Sequence, residues 1–511
     1  MLSIFALLAL SSQIPVTKWK SPDPSEHPLR YSEWIAAHPE SPLKIVKIEQ
    51  IGASKSDSVV AVIVDSATFD ADSIQIENLL SQLESEGFTV EFVVINGGTP
   101  EALRTLLTEF VGLDGAIFIG DVPVAWFQLI DDWNGNGVHD PEDSYEEFPC
   151  DLFFMDLDGQ WFDLQMPQGD SLVSGSDGIY DTHLGDVEPE IWVSRIYPNQ
   201  NNLDDSLIAD YIERDLRFRN GQADLPAYRA LAFIDDDWIP YTAGFVGPMF
   251  WLFYDIIVEN HPETTDASHY RRWLSARDTL VWVSVFAHSS PHYHAFKINS
   301  GTSWSYFQAN QLQSIRPDAL FYNLFACSNA RFVEQFYMAG MYVFSTAHGL
   351  AAIGSTKSGS MLEFDQFYMP LADSISIGDA FLSWFQSITH DGTNSLERSW
   401  FYGMCLIGDG TINPTKHYLL NIVDAATPHY QTPDVHISFD PVALTLSIAV
   451  ENNIDGKIEI YDVAGRRVIS TQFFSSKVID LSNLASGIYI VKLETGERHL
   501  SPKTSKILVI K

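Results

Sequence analysis

Two apolar runs constrain this chain more than any other feature. LVWVSVFAHSS (280–290) ends on His288, and ALFYNLFACSN (319–329) ends on Cys327. Each run is too short to span a membrane. Each is rich in β-branched or aromatic residues and gives way to polar ones. That is the pattern of a parallel strand buried on both faces. Open α/β sheets hold ligands outside the carboxyl ends of such strands. Neighbouring strands ending in His288 and Cys327 would set a base beside a thiol, the pairing a thiol nucleophile needs.

The surrounding pattern predicts a sheet built for such strands. SVVAVIVD (58–65), FTVEFVVI (88–95) and GAIFIGD (115–121) read as buried strands. Between the first two, Ile76, Leu79, Leu80 and Leu83 recur at helical spacing. Thr99 and Pro100 supply an N-cap and a first-turn proline for a helix through Phe110. Residues 122–190 break the rhythm with Asp, Gly and aromatics and read as an insertion. A helix at 203–220, strands at 228–236 and 349–356, and a helix at 377–388 resume it. The expected fold class is α/β, a mostly parallel sheet flanked by helices. After residue 428 short alternating runs such as LTLSIAV, GKIEIYD and GIYIVKL predict a small C-terminal β-sandwich.

The expected domains are therefore a sheet domain over 57–427 and a sandwich over 428–511. Ahead of them, the apolar run in MLSIFALLALSSQ reads as a signal peptide over 1–13. Residues 14–56 read as a leader or short pro-segment. No other run is long enough for a transmembrane helix. With 67 acidic residues against 30 basic, the net charge is −37. Such a surface repels phosphate backbones, which argues against a nucleic-acid partner. Three cysteines, Cys150, Cys327 and Cys405, make no disulfide framework, although pairing of Cys150 with Cys405 stays open.

One local motif points to a metal. In DWNGNGVHDPED, Asp132, Asn134 and Asn136 fall at positions 1, 3 and 5 of a calcium loop. Gly137 provides the turn, Val138 a carbonyl, and Asp140 and Asp143 fall at positions 9 and 12. The expected cofactor is structural calcium, with no organic cofactor. A second cluster, His288, His292 and His294 in HSSPHYH, offers an alternative transition-metal site. His292, His294 and Asp235 are otherwise candidates for a substrate cleft. Asp151, Asp156 and Asp158 read as turn and cap residues or as a second cation site.

The order of apolar strand, His, spacer, apolar strand and Ala-Cys resembles the caspase-like cysteine peptidases. Within them the chain is most similar to the gingipain family. GAIFIGDVPVAWF, FPCDLFFMDLDGQW, EPEIWVSRIYP, AAIGSTKSG and IGDAFLSWF carry the likeness, in that order, over residues 58–415. The resemblance implies a caspase-like fold and a secreted cysteine endopeptidase acting on proteins or peptides. His288 would be general base and Cys327 nucleophile, with the N–H groups of Ser289 and Cys327 as oxyanion donors. The family usually has glycine where this chain has Ser289. That departure leaves an inactive surface or binding protein as the alternative, and a metal-dependent hydrolase on the histidine loop as a weaker one.

GKIEIYDVAGRRV and IDLSNLASGIYIVKL resemble the type A sorting domain of the type IX secretion system. This likeness implies transit through the periplasm, engagement of that secretion machinery, and release or anchoring at the outer-membrane surface.

Overall fold

The computed structural model describes residues 21–509 except 24, 53–57, 141–142, 170, 201–203, 419–434, 441–444, 451–454, 463–465, 475, 482, 485–486 and 496–502. The expected signal peptide and the segment joining the two domains lie outside the described residues. The chain folds as two compact units, Met1–Tyr418 and Leu419–Lys511.

The first unit is organised by an 11-stranded sheet. In chain order its strands are β1 (Ser41–Ile51), β2 (Val59–Asp65), β3 (Thr89–Gly98), β4 (Leu113–Ile119), β5 (Trp192–Ile196), β6 (Ala230–Ile234), β7 (Ile256–Glu259), β8 (Trp282–Phe286), β9 (Phe321–Phe325), β10 (Ala351–Ser355) and β11 (Met404–Gly408). Their spatial order is β1-β3-β2-β4-β5-β11-β10-β9-β8-β6-β7. From β3 to β11 the neighbours are parallel, and from β10 to β7 they are parallel again. Where β10 meets β11 the pairing is antiparallel. The sheet thus consists of two parallel halves running in opposite directions, and their carboxyl ends open on opposite edges.

Burial explains the apolar runs. Along β2, Ala61 and Ile63 enter one core while Val60, Val62 and Val64 enter the other. Both faces are covered, as parallel strands require. The helix Ser66–Ser85 buries Ile76, Leu79, Leu80 and Leu83 as the spacing predicts. Thr99 caps Pro100–Thr108 by accepting the Ala102 N–H. The helix Ile377–Thr389 buries Phe381, Trp384 and Phe385.

The segment expected to be a leader belongs in part to this fold. Tyr31–Ala37 is helical, and β1 pairs antiparallel with β3 at the sheet edge. β1 is largely exposed, so periodic burial leaves little trace of it in the sequence. The apolar stretch around Cys405 forms β11, at the seam between the two halves. All three cysteines are buried free thiols.

In the second unit seven strands form one antiparallel sheet. They are β12 (Val435–Asp440), β13 (Thr445–Val450), β14 (Asp455–Asp462), β15 (Arg467–Phe474), β16 (Ser476–Asp480), β17 (Gly487–Thr495) and β18 (Lys503–Val509). The order is β12-β13-β16-β15-β14-β17-β18. Among the described residues, a three-strand part and a four-strand part are joined only by the pair Phe474 and Ser476. Both contribute buried apolar side chains, Leu446 and Ile479 from one, Ile458 and Ile460 from the other.

Within the sheet core of the first unit, Arg195 at the end of β5 grips Asp151 with Nε and Nη2 at 2.6–3.0 Å, both side chains being almost fully buried. Removing the cation would strand a buried carboxylate. Arg195→Ala should cost about 3–5 kcal/mol in chemical denaturation, and a loss below about 1 kcal/mol, the range of an exposed pair, would contradict the reading.

Candidate active site

The second half of the sheet has a switch point. β6 leads outward to β7, whereas β8 lies on the other side of β6 and leads inward to β9. Open α/β sheets place ligands at such a parting. Register then aligns the two sequence-predicted residues. Phe286 of β8 lies opposite Phe325 of β9, and the Ala287 N–H donates to the Phe325 carbonyl at 3.1 Å. Two residues on, just past the strand ends, stand His288 and Cys327.

The end of β6 supplies a third group. Asp237 sits in the first turn of the 3-10 helix Asp236–Tyr241, and its Oδ2 lies 2.7 Å from His288 Nε2. Lys297 Nζ binds Asp237 Oδ1 at 2.6 Å. The imidazole is held between rings, with Trp238 at 4.4 Å and Trp304 edge-on at 5.0 Å. Burial opposes ionisation of Asp237. The hydrogen bonds and charges of His288 and Lys297 outweigh it and hold the carboxyl down to about 2. It is therefore an anion at any physiological pH and fixes one nitrogen of the ring.

Cys327 is 7% exposed. Burial pushes its thiol up to about 12, opposed by the Gly359 N–H donated to the sulfur and by the charge of Lys357. Glycine at 359 has a physical reason. Its φ is +112°, and a Cβ there would meet the Trp400 carbonyl at 2.6 Å. Lys357 is itself buried, with Nζ 2.9 Å from Asp131 and 3.1 Å from Glu146.

Ser289 stands in the extended strand His288–Ser290 and is not among the residues with positive φ. Its position therefore makes no conformational demand for glycine. Its hydroxyl donates to the Cys327 carbonyl, tying together the two segments that carry the expected oxyanion donors. The left-handed residue is instead Ser328, at φ 56°, whose N–H donates to the Lys357 carbonyl at 2.9 Å.

The histidine loop does not gather. His288 turns to Asp237, and His292 binds Glu26 and the Gln335 carbonyl. His294 is fully buried among Tyr270, Phe307 and Tyr342, where burial alone pushes its imidazole down to about 3. Alternation along the strand Tyr293–Ile298 sends it into the core, so it is no cleft residue. Among the described residues only Asp156, Asp158 and Glu190 bring three such ligand atoms within 4.8 Å of one another. That geometry removes the basis for a metal site on His288, His292 and His294. Asp151 pairs with Arg195 instead of standing free for a cation.

Asp235 is also displaced from its expected place in a substrate cleft. It is 0% exposed, and its carboxylate accepts the Lys297 N–H at 3.0 and 3.1 Å, bracing the strand behind the site.

The calcium-type loop is closed by its own hydrogen bonds. Asp132 accepts the N–H groups of Asn136 at 3.1 Å and Gly137 at 2.8 Å, with Gly137 at φ 72°. The amides of Asn134 and Asn136 converge on Asp140 Oδ2 at 2.6 and 2.8 Å, and Asp143 accepts the Asp140 N–H at 2.7 Å. The Val138 N–H donates to Asn136 at 2.7 Å. The loop rests on the helix Ser395–Phe401 through the Asp132 N–H, donated to Ser399 Oγ, and a Trp133–Trp400 ring contact.

Residues 440–511 match the family described as a secretion system C-terminal sorting domain. Such a tail directs its cargo to the type IX machinery and marks the protein as secreted or displayed on the outer-membrane surface. No helix among the described residues is long and apolar enough to cross a membrane. No curated protein matches the chain.

Asp237, Lys297, Trp304 and Lys357 are parts of the site that sequence reasoning does not single out. The triplet Asp235-Asp236-Asp237 at a strand end is a visible signal, but spacing alone does not say which carboxylate faces His288.

Asp235 yields a pH-dependent prediction. Burial raises its carboxyl from 3.8 to about 8, against the opposing Lys297 and Asp236 N–H groups. The folded chain then holds this proton more tightly than the unfolded one. Stability contributed here is full below pH 3.8 and declines as pH rises towards about 8. Asp235→Asn keeps an acceptor for the Lys297 N–H and removes the titration. Its Tm advantage over the parent should be near zero at pH 4 and grow up to pH 8. An unchanged pH profile would contradict the assignment.

Proposed function

We propose that this is a secreted cysteine peptidase working through Cys327, His288 and Asp237. The observation that carries the reading is the 2.7 Å Asp237–His288 contact, made at a strand end in register with the one bearing Cys327. The likeness to the gingipain family and its caspase-like fold supports the same assignment, and the sorting tail suits an enzyme acting outside the cell.

In this mechanism Asp237 accepts the Nε2 proton of His288 in a hydrogen bond, which leaves Nδ1 as the proton-accepting nitrogen. His288 takes the Cys327 proton as the sulfur attacks the scissile carbonyl. The N–H groups of Cys327 and Ser289 receive the oxyanion. His288 then protonates the departing amine, and water delivered through the same imidazole hydrolyses the thioester. A buried thiol near 12 stays protonated at rest, so the nucleophile forms only when His288 accepts the proton.

A second reading is favoured by one feature, the 7% exposure of Cys327. A protein that binds peptides without cleaving them would have the same closed thiol. The two separate on hydrolysis of a denatured protein substrate. Cys327→Ala should abolish it, and Asp237→Asn should lower kcat/KM by roughly 10²-fold or more. Hydrolysis unchanged in Cys327→Ala would sink the peptidase reading.

The loop Asp132–Asp143 we read as a structural calcium site. Its donors would be carboxylates of Asp132, Asp140 and Asp143, amide oxygens of Asn134 and Asn136, and the Val138 carbonyl, the hard oxygen set that calcium takes; the three carboxylates do not stand within 4.8 Å of one another, so an ion would have to draw them together. The amides of Asn134 and Asn136 donate to Asp140 and their oxygens accept backbone N–H groups, so a bound calcium would replace these bonds. Calcium at about 100 times its Kd should stabilise the chain by about 2.7 kcal/mol. Tm should fall on chelation and return on adding calcium; indifference to both would refute the site.

A further inference from the structure

One carboxylate oxygen at the His288 rim is shared by two donors. Asp237 Oδ2 lies 2.7 Å from His288 Nε2 and 2.5 Å from Lys297 Nζ, and the same ammonium reaches Oδ1 at 2.6 Å. Lys297 stands on the strand Tyr293–Ile298, opposite Trp304 of the strand Ser303–Gln308. Its backbone is tied down by the N–H donated to Asp235. Its Nζ lies 5.7 Å from the centre of the Trp304 ring, the ring that meets His288 edge-on. The lysine is thus fixed at both ends, and its charge is held beside an imidazole that is fully buried.

A carboxylate facing an imidazole ordinarily favours the imidazolium. Here an ammonium already covers both carboxylate oxygens, so the ring faces a pair with no net charge. The neighbouring groups do not tip that balance back. Asp235 is buried behind the site, where its carboxyl is pushed up to about 8 and so holds its proton at neutral pH. Asp236 bonds Thr265 Oγ1 at 3.3 Å instead of the ring. The two rings packed on the imidazole, Trp238 and Trp304, carry no charge. Burial keeps the Cys327 thiol protonated at rest. Burial of the imidazole itself opposes its charging further.

We propose that Lys297 is a positioning residue that neutralises Asp237, so that His288 and Cys327 rest as an uncharged imidazole and thiol and not as an imidazolium–thiolate pair. Asp237 then orients the ring without charging it. The proton leaves the sulfur for Nδ1 only as the sulfur attacks the carbonyl carbon, and the imidazolium so formed gives it to the departing amine. The inference rests on the reading of Cys327, His288 and Asp237 as the catalytic groups. Without the ammonium, the carboxylate would face the ring alone and favour the ion pair.

The test is the pH titration of His288, followed by NMR of the full chain with histidine labelled at Cε1. Cys327→Ala lets the ring titrate without the thiol, and His288→Gln identifies its signal. The midpoint should lie at or below about 6.5, the ordinary histidine value. Lys297→Gln and Lys297→Met should raise it by about one pH unit or more, whereas Lys297→Arg, which keeps the charge, should leave it near the parent value. A parent midpoint above about 7.5 would overturn the proposal with no substitution at Lys297 needed. So would a midpoint that stays in place in the neutral variants while only Tm falls, the mark of a merely structural lysine. With Cys327 in place, the acid limb of kcat/KM on denatured protein should move up by the same interval in Lys297→Gln, and a limb that stays put counts against the role. No hydrolysis by the parent would refute the peptidase reading, and the His288 titration would still decide what Lys297 does to the ring.

Discussion

Covering both faces of a parallel sheet leaves polar chemistry only one place to go. The central strands are buried above and below, so titratable groups that must meet solvent or substrate collect where strands end. Register then decides which of them meet. β8 and β9 are aligned residue for residue, so two apolar runs of similar length bring His288 and Cys327 to the same end of the sheet. β6, on the other side of β8, adds Asp237 at the same edge. The hydrogen bond between Asp237 and His288 is thus a consequence of strand order, and so is the tautomer it imposes.

Behind the thiol lies a buried cation. Lys357 is surrounded by Asp131, Glu146 and the carbonyls of Ser358 and Ser399. A buried charge persists only when its partners are complete. Asp131 directly precedes the calcium-type loop, and Gly359, two residues after Lys357, donates its N–H to the Cys327 sulfur. The insertion is therefore connected to Cys327 through one ion pair. In our account the loop's order matters to the site even though no loop side chain touches the sulfur.

Much of this is legible in the sequence. Unbroken apolar runs mark the strands, which are buried on both faces, and the apolar stripe of Ile76, Leu79, Leu80 and Leu83 marks a helix, because core packing leaves its trace in both. β1 leaves none, being an exposed edge strand held by backbone pairing. His288 and Cys327 can be named because each closes an apolar run. Asp237 cannot be singled out from its two neighbours, since a 3-10 turn sets its direction. His294 misleads for the same kind of reason: its position in a polar, histidine-rich loop suggests a cleft, but strand alternation turns the ring into an aromatic core. Lys357 and Asp131 meet across 226 positions of sequence, a separation at which spacing carries no information.

The central claim is that His288 governs the proton on Cys327, and the pH dependence of Cys327 alkylation tests it most directly. Iodoacetamide labelling resolved by peptide mapping separates Cys327 from the buried Cys150 and Cys405. The account predicts labelling of Cys327 near pH 7 in the parent chain, at a rate at least tenfold slower in His288→Ala. Labelling that appears only in strongly alkaline solution, at the same rate in both chains, would contradict it.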